Sequence, residues 1–131
     1  MTVVDINPSE LRVFFNHIYE YQKGVRKMVL YTSLRMHVPF ITNRLKKLNI
    51  AYVIQPVDNK RVNIYFGNDE CIEVIRKMVT RPLNLLSPEE DFILGALLGY
   101  DISVQCKRYC SRKSVPEKGA ESQFEAVSAE N

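Results

Sequence analysis

The chain has 131 residues, 46% hydrophobic and 25% charged, with a formal net charge of +3. These values are ordinary for one soluble globular domain. They exclude a membrane-spanning class, because no apolar run approaches the roughly 18 residues that a span needs. The start, MTVVDINPSE, lacks the basic and apolar regions of a signal peptide. Three Cys, an odd number, point to free thiols in a reducing compartment and place the chain in a cytoplasm.

In chain order, Asn7-Pro8-Ser9-Glu10 is a helix start signal. Leu11, Phe14, Phe15 and Ile18 give that helix an apolar face, and Gly24 closes it. Val25–Thr32 reads as a strand. Val38, Ile41, Leu45 and Leu48 then recur at helical spacing, opposite Arg44, Lys46 and Lys47. Tyr52–Val57 and Arg61–Phe66 flank Asp58-Asn59, a hairpin signal because Asp and Asn tolerate positive φ. A strand–helix–strand unit of this length favours a parallel right-handed crossover, so the sheet is expected to be small, three-stranded and mixed.

After the hairpin, Asn68 is placed to cap a helix reaching about Val79, with Pro82 beyond it. Ser87-Pro88-Glu89-Glu90 is the strongest cap in the chain. The helix it opens, Phe92–Gly99, is apolar almost all round. Asp101 caps a last short helix through Tyr109. The order α-β-α-β-β-α-α-α defines an α+β domain over residues 1–110. Residues 111–131 hold mainly Pro, Gly, Ser, Lys and Glu and read as a disordered tail.

The all-round apolar helix has two readings. It is a central helix wrapped by its neighbours, or Phe92, Ile93, Leu97 and Leu98 meet a second copy of the chain in a homodimer. Pairing two copies would also protect the sheet edge.

Few residues suggest chemistry. Cys106 and Cys110 share a helical face, but a structural zinc site needs four ligands, and Cys71, His17 and His37 are isolated in sequence. No metal site is expected. His17, Tyr19 and Tyr21 at one helix end, with Arg35 and His37 at the entrance to the second helix, are the candidate pocket residues. The plainer reading makes them ordinary helix-end and loop residues. None of the five Gly forms a phosphate-binding loop, and no Gly-x-Ser-x-Gly elbow occurs, so no cofactor is expected. Glu89, Glu90 and Asp91 complement the helix dipole.

Through Cys110 the chain carries 15 Lys/Arg and 11 Asp/Glu, a surplus of four. The cations are dispersed, with no run beyond two, and the isoelectric point is about 8.8. That argues against a nucleic-acid partner. It fits a mildly basic surface facing an acidic protein, with Arg44, Lys46, Lys47, Lys60 and Arg61 as the candidate contacts.

The run FNHIYEYQKGVRKMVLYT (Phe15–Thr32), the hairpin region and LLGYD (Leu97–Asp101) resemble a small bacterial family known only as a domain of unknown function. The resemblance covers about residues 9–110 and leaves the tail outside. It implies three strands, about five helices, a homodimer and genes often near a flavodoxin. It carries no catalytic residues. The reading is a non-catalytic, dimeric accessory protein for an acidic electron carrier such as flavodoxin. The alternatives are a ligand-sensing module with a pocket near the dimer interface, or an enzyme using His17.

Overall fold

The computed structural model describes residues 11–114. Its elements are α1 (Arg12–Gln22), β1 (Met28–Leu34), α2 (Val38–Lys47), β2 (Ala51–Pro56), β3 (Arg61–Gly67), α3 (Asp69–Met78), α4 (Pro88–Leu97) and α5 (Ile102–Ser114). Short 3-10 turns at Arg35–His37 and Leu83–Leu85 join β1 to α2 and α3 to α4. This is the expected α+β order.

The sheet departs from expectation. Its order is β1-β3-β2, and β3 runs antiparallel to both neighbours. The sheet is therefore antiparallel, not mixed. The reason lies in the hairpin. β3 folds back into the space beside β1 that a simple crossover would have given to β2, so β1 and β2 never pair.

Strand alternation divides the apolar residues between two faces. Val29, Val62, Ile64 and Phe66 meet Phe14 and Ile18 of α1 and Ile41 and Leu45 of α2. Met28 and Tyr65 meet Ile72, Ile75 and Met78 of α3 and Leu94 of α4, together with Leu86 and Leu98. Helices thus cover both faces, which explains why β3 is buried along its length beyond Arg61. Tyr65 is fully buried, and burial pushes its phenol up to about 12.

One cross-strand row breaks the apolar pattern. Thr32, Asn63 and Gln55 stand side by side in register across the three strands. Thr32 Oγ1 donates to Asn63 Oδ1 at 2.8 Å, and Asn63 Nδ2 donates to Gln55 Oε1 at 3.3 Å. Tyr65 Oη also donates to Gln55 Oε1, at 2.8 Å, while Gln55 Nε2 donates to the Arg81 carbonyl. The row satisfies its own polar groups and ties the loop after α3 to the sheet.

Local signals were obeyed unevenly. The capping box is present in full: Glu90 N donates to Ser87 Oγ, and Ser87 N donates to the Glu90 carboxylate. Asp101 caps α5 through Val104 N, but the helix continues past Tyr109 to Ser114, beyond the boundary expected at residue 110. Arg112 holds that extension by donating to the Leu86 carbonyl. Asn68 precedes α3 without a side-chain cap. The hairpin turn uses no positive φ at Asp58 or Asn59. Instead the Asp58 carboxylate accepts from Lys60 N and Arg61 N, both at 2.8 Å, which holds it below the usual carboxylate range. The helix start at Asn7–Glu10 and the expected tail from 115 onward lie outside the described residues.

Candidate functional site

The five candidate pocket residues are spread over two elements. His17 Nδ1 lies 3.2 Å from Glu20 Oε1, which also pairs with Arg26 Nε at 3.2 Å. The His17 ring meets Tyr31 edge-on at 6.2 Å, and Tyr21 meets Phe66 at 6.4 Å. Tyr21 is pushed above its ordinary value by burial and then by Asp69, Cys71 and Glu70. Tyr19 faces outward, with Lys23 Nζ 5.6 Å from its ring centre. Arg35 turns to the hairpin: its backbone N donates to the Lys60 carbonyl and its Nε to the Asp58 carbonyl. His37 is buried at the start of α2.

The candidate partner-binding cations also divide. Lys60 and Arg61 sit at the hairpin, beside Arg35. Arg44, Lys46 and Lys47 sit in the last turn of α2, where cations oppose the negative helix end. The two groups lie toward opposite ends of α2, a helix of 10 residues and so about 15 Å long at 1.5 Å per residue. Arg44 Cζ lies 5.5 Å from the Phe15 ring centre, and Phe15 meets Phe40 edge-on at 6.1 Å. An aromatic–cation cluster therefore marks the outer surface between α1 and α2.

The seam between α4 and α5 is the most extensive polar network among the described residues. Asp91 receives a two-pronged contact from Arg108, at 2.6 and 3.1 Å, and pairs with Arg112 at 3.7 Å. Glu89 accepts from Tyr109 Oη at 2.9 Å and pairs with Lys113 at 3.1 Å. These hydrogen bonds, Lys113 first, hold the Glu89 carboxyl below its ordinary value. Glu90, already committed to the capping box, pairs with Arg81. The acids of α4 therefore clamp the C-terminal half of α5 as well as complementing their own helix dipole. The sequence carries a signal for this: Arg108/Arg112 and Tyr109/Lys113 are spaced i,i+4, so each pair shares a helix face.

The clamp splits the apolar helix. Leu94 and Leu98 turn into the core, and Leu97 packs beside them. Phe92 and Ile93 turn outward; Ile93 is 42% exposed. Phe92 meets Tyr109 at 5.8 Å, and with Ile93, Cys106 and Cys110 they line an open groove of about 400 Å³. Of the four candidate interface residues, Phe92 and Ile93 lie at that surface, while Leu97 and Leu98 do not. Cys106 and Cys110 are exposed free thiols, and Cys71 of α3 is half-buried. Burial raises the Cys71 thiol. No three His, Cys, Asp or Glu side chains converge as a metal cluster among the described residues. None of their helices is long and apolar enough to cross a membrane.

On the other side of the same seam, a second cavity of about 370 Å³ opens between Leu30 of β1, the Leu83–Leu86 loop, α4 and α5. Neither cavity has any of the five pocket candidates in its wall.

Together these features define a small α+β domain: an antiparallel three-stranded sheet between two helical layers, with an ion-clamped α4–α5 pair on one face. Residues 12–112 match the family described as "Protein of unknown function (DUF2023)", and the chain belongs to that family. No curated protein shows a significant match to the chain.

Proposed function

We propose that this domain is a non-catalytic, self-associating binding protein whose α1–α2 layer holds an acidic protein partner, a flavodoxin-type electron carrier being the candidate. The observation that carries this reading is the separation of charge. Between Leu11 and Leu48 the chain has Arg12, Lys23, Arg26, Lys27, Arg35, Arg44, Lys46 and Lys47, against Glu20 alone. The helices of this stretch cover one face of the sheet. On the opposite face, the acids of α4 are matched by Arg81, Arg108, Arg112 and Lys113. The uncompensated positive charge therefore belongs to one layer, and the exposed Tyr19 and Phe40 rings give that layer apolar anchors.

A one-signed surface steers an oppositely charged partner and raises its association rate. Its contacts are small, short-lived and weakened by salt. The test is calorimetric titration with flavodoxin from the same cell. Micromolar binding at low salt, weakening several-fold at physiological ionic strength, is expected. Replacing Lys46 and Lys47 by Glu, or Lys60 and Arg61 by Glu, should weaken it further. Lys107→Glu, on α5, should not. Absence of heat at high micromolar concentration and low salt defeats this reading.

A further inference from the structure

The open groove on the α4–α5 seam is walled by two free, exposed thiols, Cys106 and Cys110 of α5, beside Phe92, Ile93 and Tyr109. The thiols are four positions apart on a helix that runs from Ile102 to Ser114. They therefore share one face, with Cβ atoms about 5–6 Å apart. A disulfide needs Cβ atoms about 3.5–4.5 Å apart, so the pair is better spaced to hold an ion between its sulfurs than to join them directly. The seam also fixes where the pair points. Arg108 and Arg112 are drawn to Asp91, and Tyr109 and Lys113 to Glu89, which gives α5 one rotation against α4. Both thiols then stand in the groove wall before any ligand arrives.

We infer that Cys106 and Cys110 form a two-coordinate site for the soft ion Cu(I), bound as a bis-thiolate within one helix. The ligand count selects the metal. No third His, Cys, Asp or Glu joins the pair in a cluster among the described residues. Glu89 lines the groove, but its Oε2 is held by Tyr109 Oη at 2.9 Å and by Lys113 Nζ at 3.1 Å. Structural zinc and iron–sulfur clusters take four ligands, and magnesium, calcium and manganese prefer oxygen. Thiolates select Cu(I), which accepts two of them in a line. The rings of Phe92 and Tyr109 offer no competing oxygen ligand from their faces. On binding, two S–H protons pass to solvent, two S–Cu bonds form, and the copper stays Cu(I), so no oxidant or reductant is consumed. The product carries one net negative charge. α5 suits it: Lys107, Arg108, Arg112 and Lys113 lie between Ile102 and Ser114, with no acid among them. The site does not use the basic α1–α2 layer, so its fate and that of the partner-binding reading are independent.

The test uses the full chain, reduced and stripped of metal, titrated without oxygen against Cu(I) held by bicinchoninate, a coloured Cu(I) chelator. The chain should withdraw one Cu(I) per chain, and ultraviolet thiolate-to-copper charge transfer should grow in step. The stoichiometry should not depend on protein concentration, because both ligands belong to one helix. Binding should tighten as pH rises, since protons are released. Cys106→Ser and Cys110→Ser should each abolish withdrawal, and Cys71→Ser should leave it unchanged. Both α5 thiols are exposed, so their Ser variants should keep the circular dichroism spectrum of the unaltered chain. The inference fails if the unaltered chain leaves the copper on the chelator, if either single α5 variant still takes it, or if Cys71→Ser loses it. One Cu(I) per two chains would also overturn it, since the ion would then be shared between copies.

Discussion

Replacing Gly67 by Ala tests the sheet at its most crowded point. Gly67 ends β3 opposite Met28 of β1 and Ala51 of β2, with φ at +154°. An added Cβ would lie 2.4 Å from the Lys27 carbonyl oxygen and 2.7 Å from Met28 Cα. Both are backbone atoms. The same Lys27 oxygen accepts from Asn68 N at 2.9 Å, so moving it stretches a bond that starts α3. Reaching even 3.0 Å, the shortest separation that real Cβ atoms tolerate, requires a shift of 0.6 Å from 2.4 Å. A non-glycine residue at such a φ costs about 1–3 kcal/mol. Overpacking adds about 1–3 kcal/mol. The expected loss is therefore about 2–6 kcal/mol, a large share of the roughly 5–15 kcal/mol that holds a domain together. At about 4–8 °C per kcal/mol for this size, the melting temperature should fall by at least about 8 °C. Gly24 is the control. Its φ is +81°, but an added Cβ meets nothing within 4 Å, so Gly24→Ala should cost only the backbone term of about 1–2 kcal/mol. Thermal melts followed by circular dichroism at matched concentration would compare the two. If Gly67→Ala melts within a few degrees of Gly24→Ala, the close approach of β1 to Gly67 is refuted.

Light scattering should report twice the chain mass of 15.2 kDa. Ile93→Glu, on the exposed side of α4, should give a folded monomer; a monomeric unaltered chain at tens of micromolar would overturn self-association. Acid should destabilise the fold. Asp58, Glu89 and Glu90 are each held below their ordinary values, chiefly by hydrogen bonds from Lys60 N, from Lys113 and from Ser87 N respectively. Their contribution is present above the unfolded value near 4 and lost as pH falls through the lowered native values. The urea midpoint should therefore drop from pH 5 to pH 3, and a midpoint unchanged over that range would contradict these contacts. Tyr65, raised to about 12 by burial, acts at the other limit. Its contribution is intact below the unfolded value near 10 and lost as pH rises toward 12.

Much of the fold was legible because its signals are local. Ser87 and Glu90 specify a capping box within four residues, and the apolar periodicity of Val38–Leu48 defines α2 without outside help. Strand partners were not legible in the same way. Val25–Thr32 contains nothing that prefers β3 over β2 as a neighbour, and the crossover preference pointed to the wrong one. Asp58 marked the turn correctly but for the wrong reason, since its carboxylate holds the loop and its φ does not. The α4–α5 clamp was not legible, because it depends on two helices meeting and neither helix alone reveals which face its neighbour covers. Leu97 illustrates the point: in sequence it is indistinguishable from Ile93, yet one packs toward the core and the other faces outward.

The central position of β3 also dictates an order of events as the chain folds. β2 and β3 join residues only 6 to 16 positions apart, from Pro56 with Val62 to Ala51 with Gly67. β1 and β3 join residues 27 to 39 positions apart, from Leu34 with Arg61 to Met28 with Gly67. Closing the longer loop costs roughly 1.3 kcal/mol more at its near end. The hairpin is therefore the expected nucleus, and β1, first of the three strands to leave the ribosome, is expected to be the last to find a neighbour. Until residues 61–67 have been synthesised, Met28, Val29 and Leu30 have no strand to lie against. The protein's window of vulnerability to misassociation falls during its own synthesis, and it closes when the hairpin offers β1 its edge.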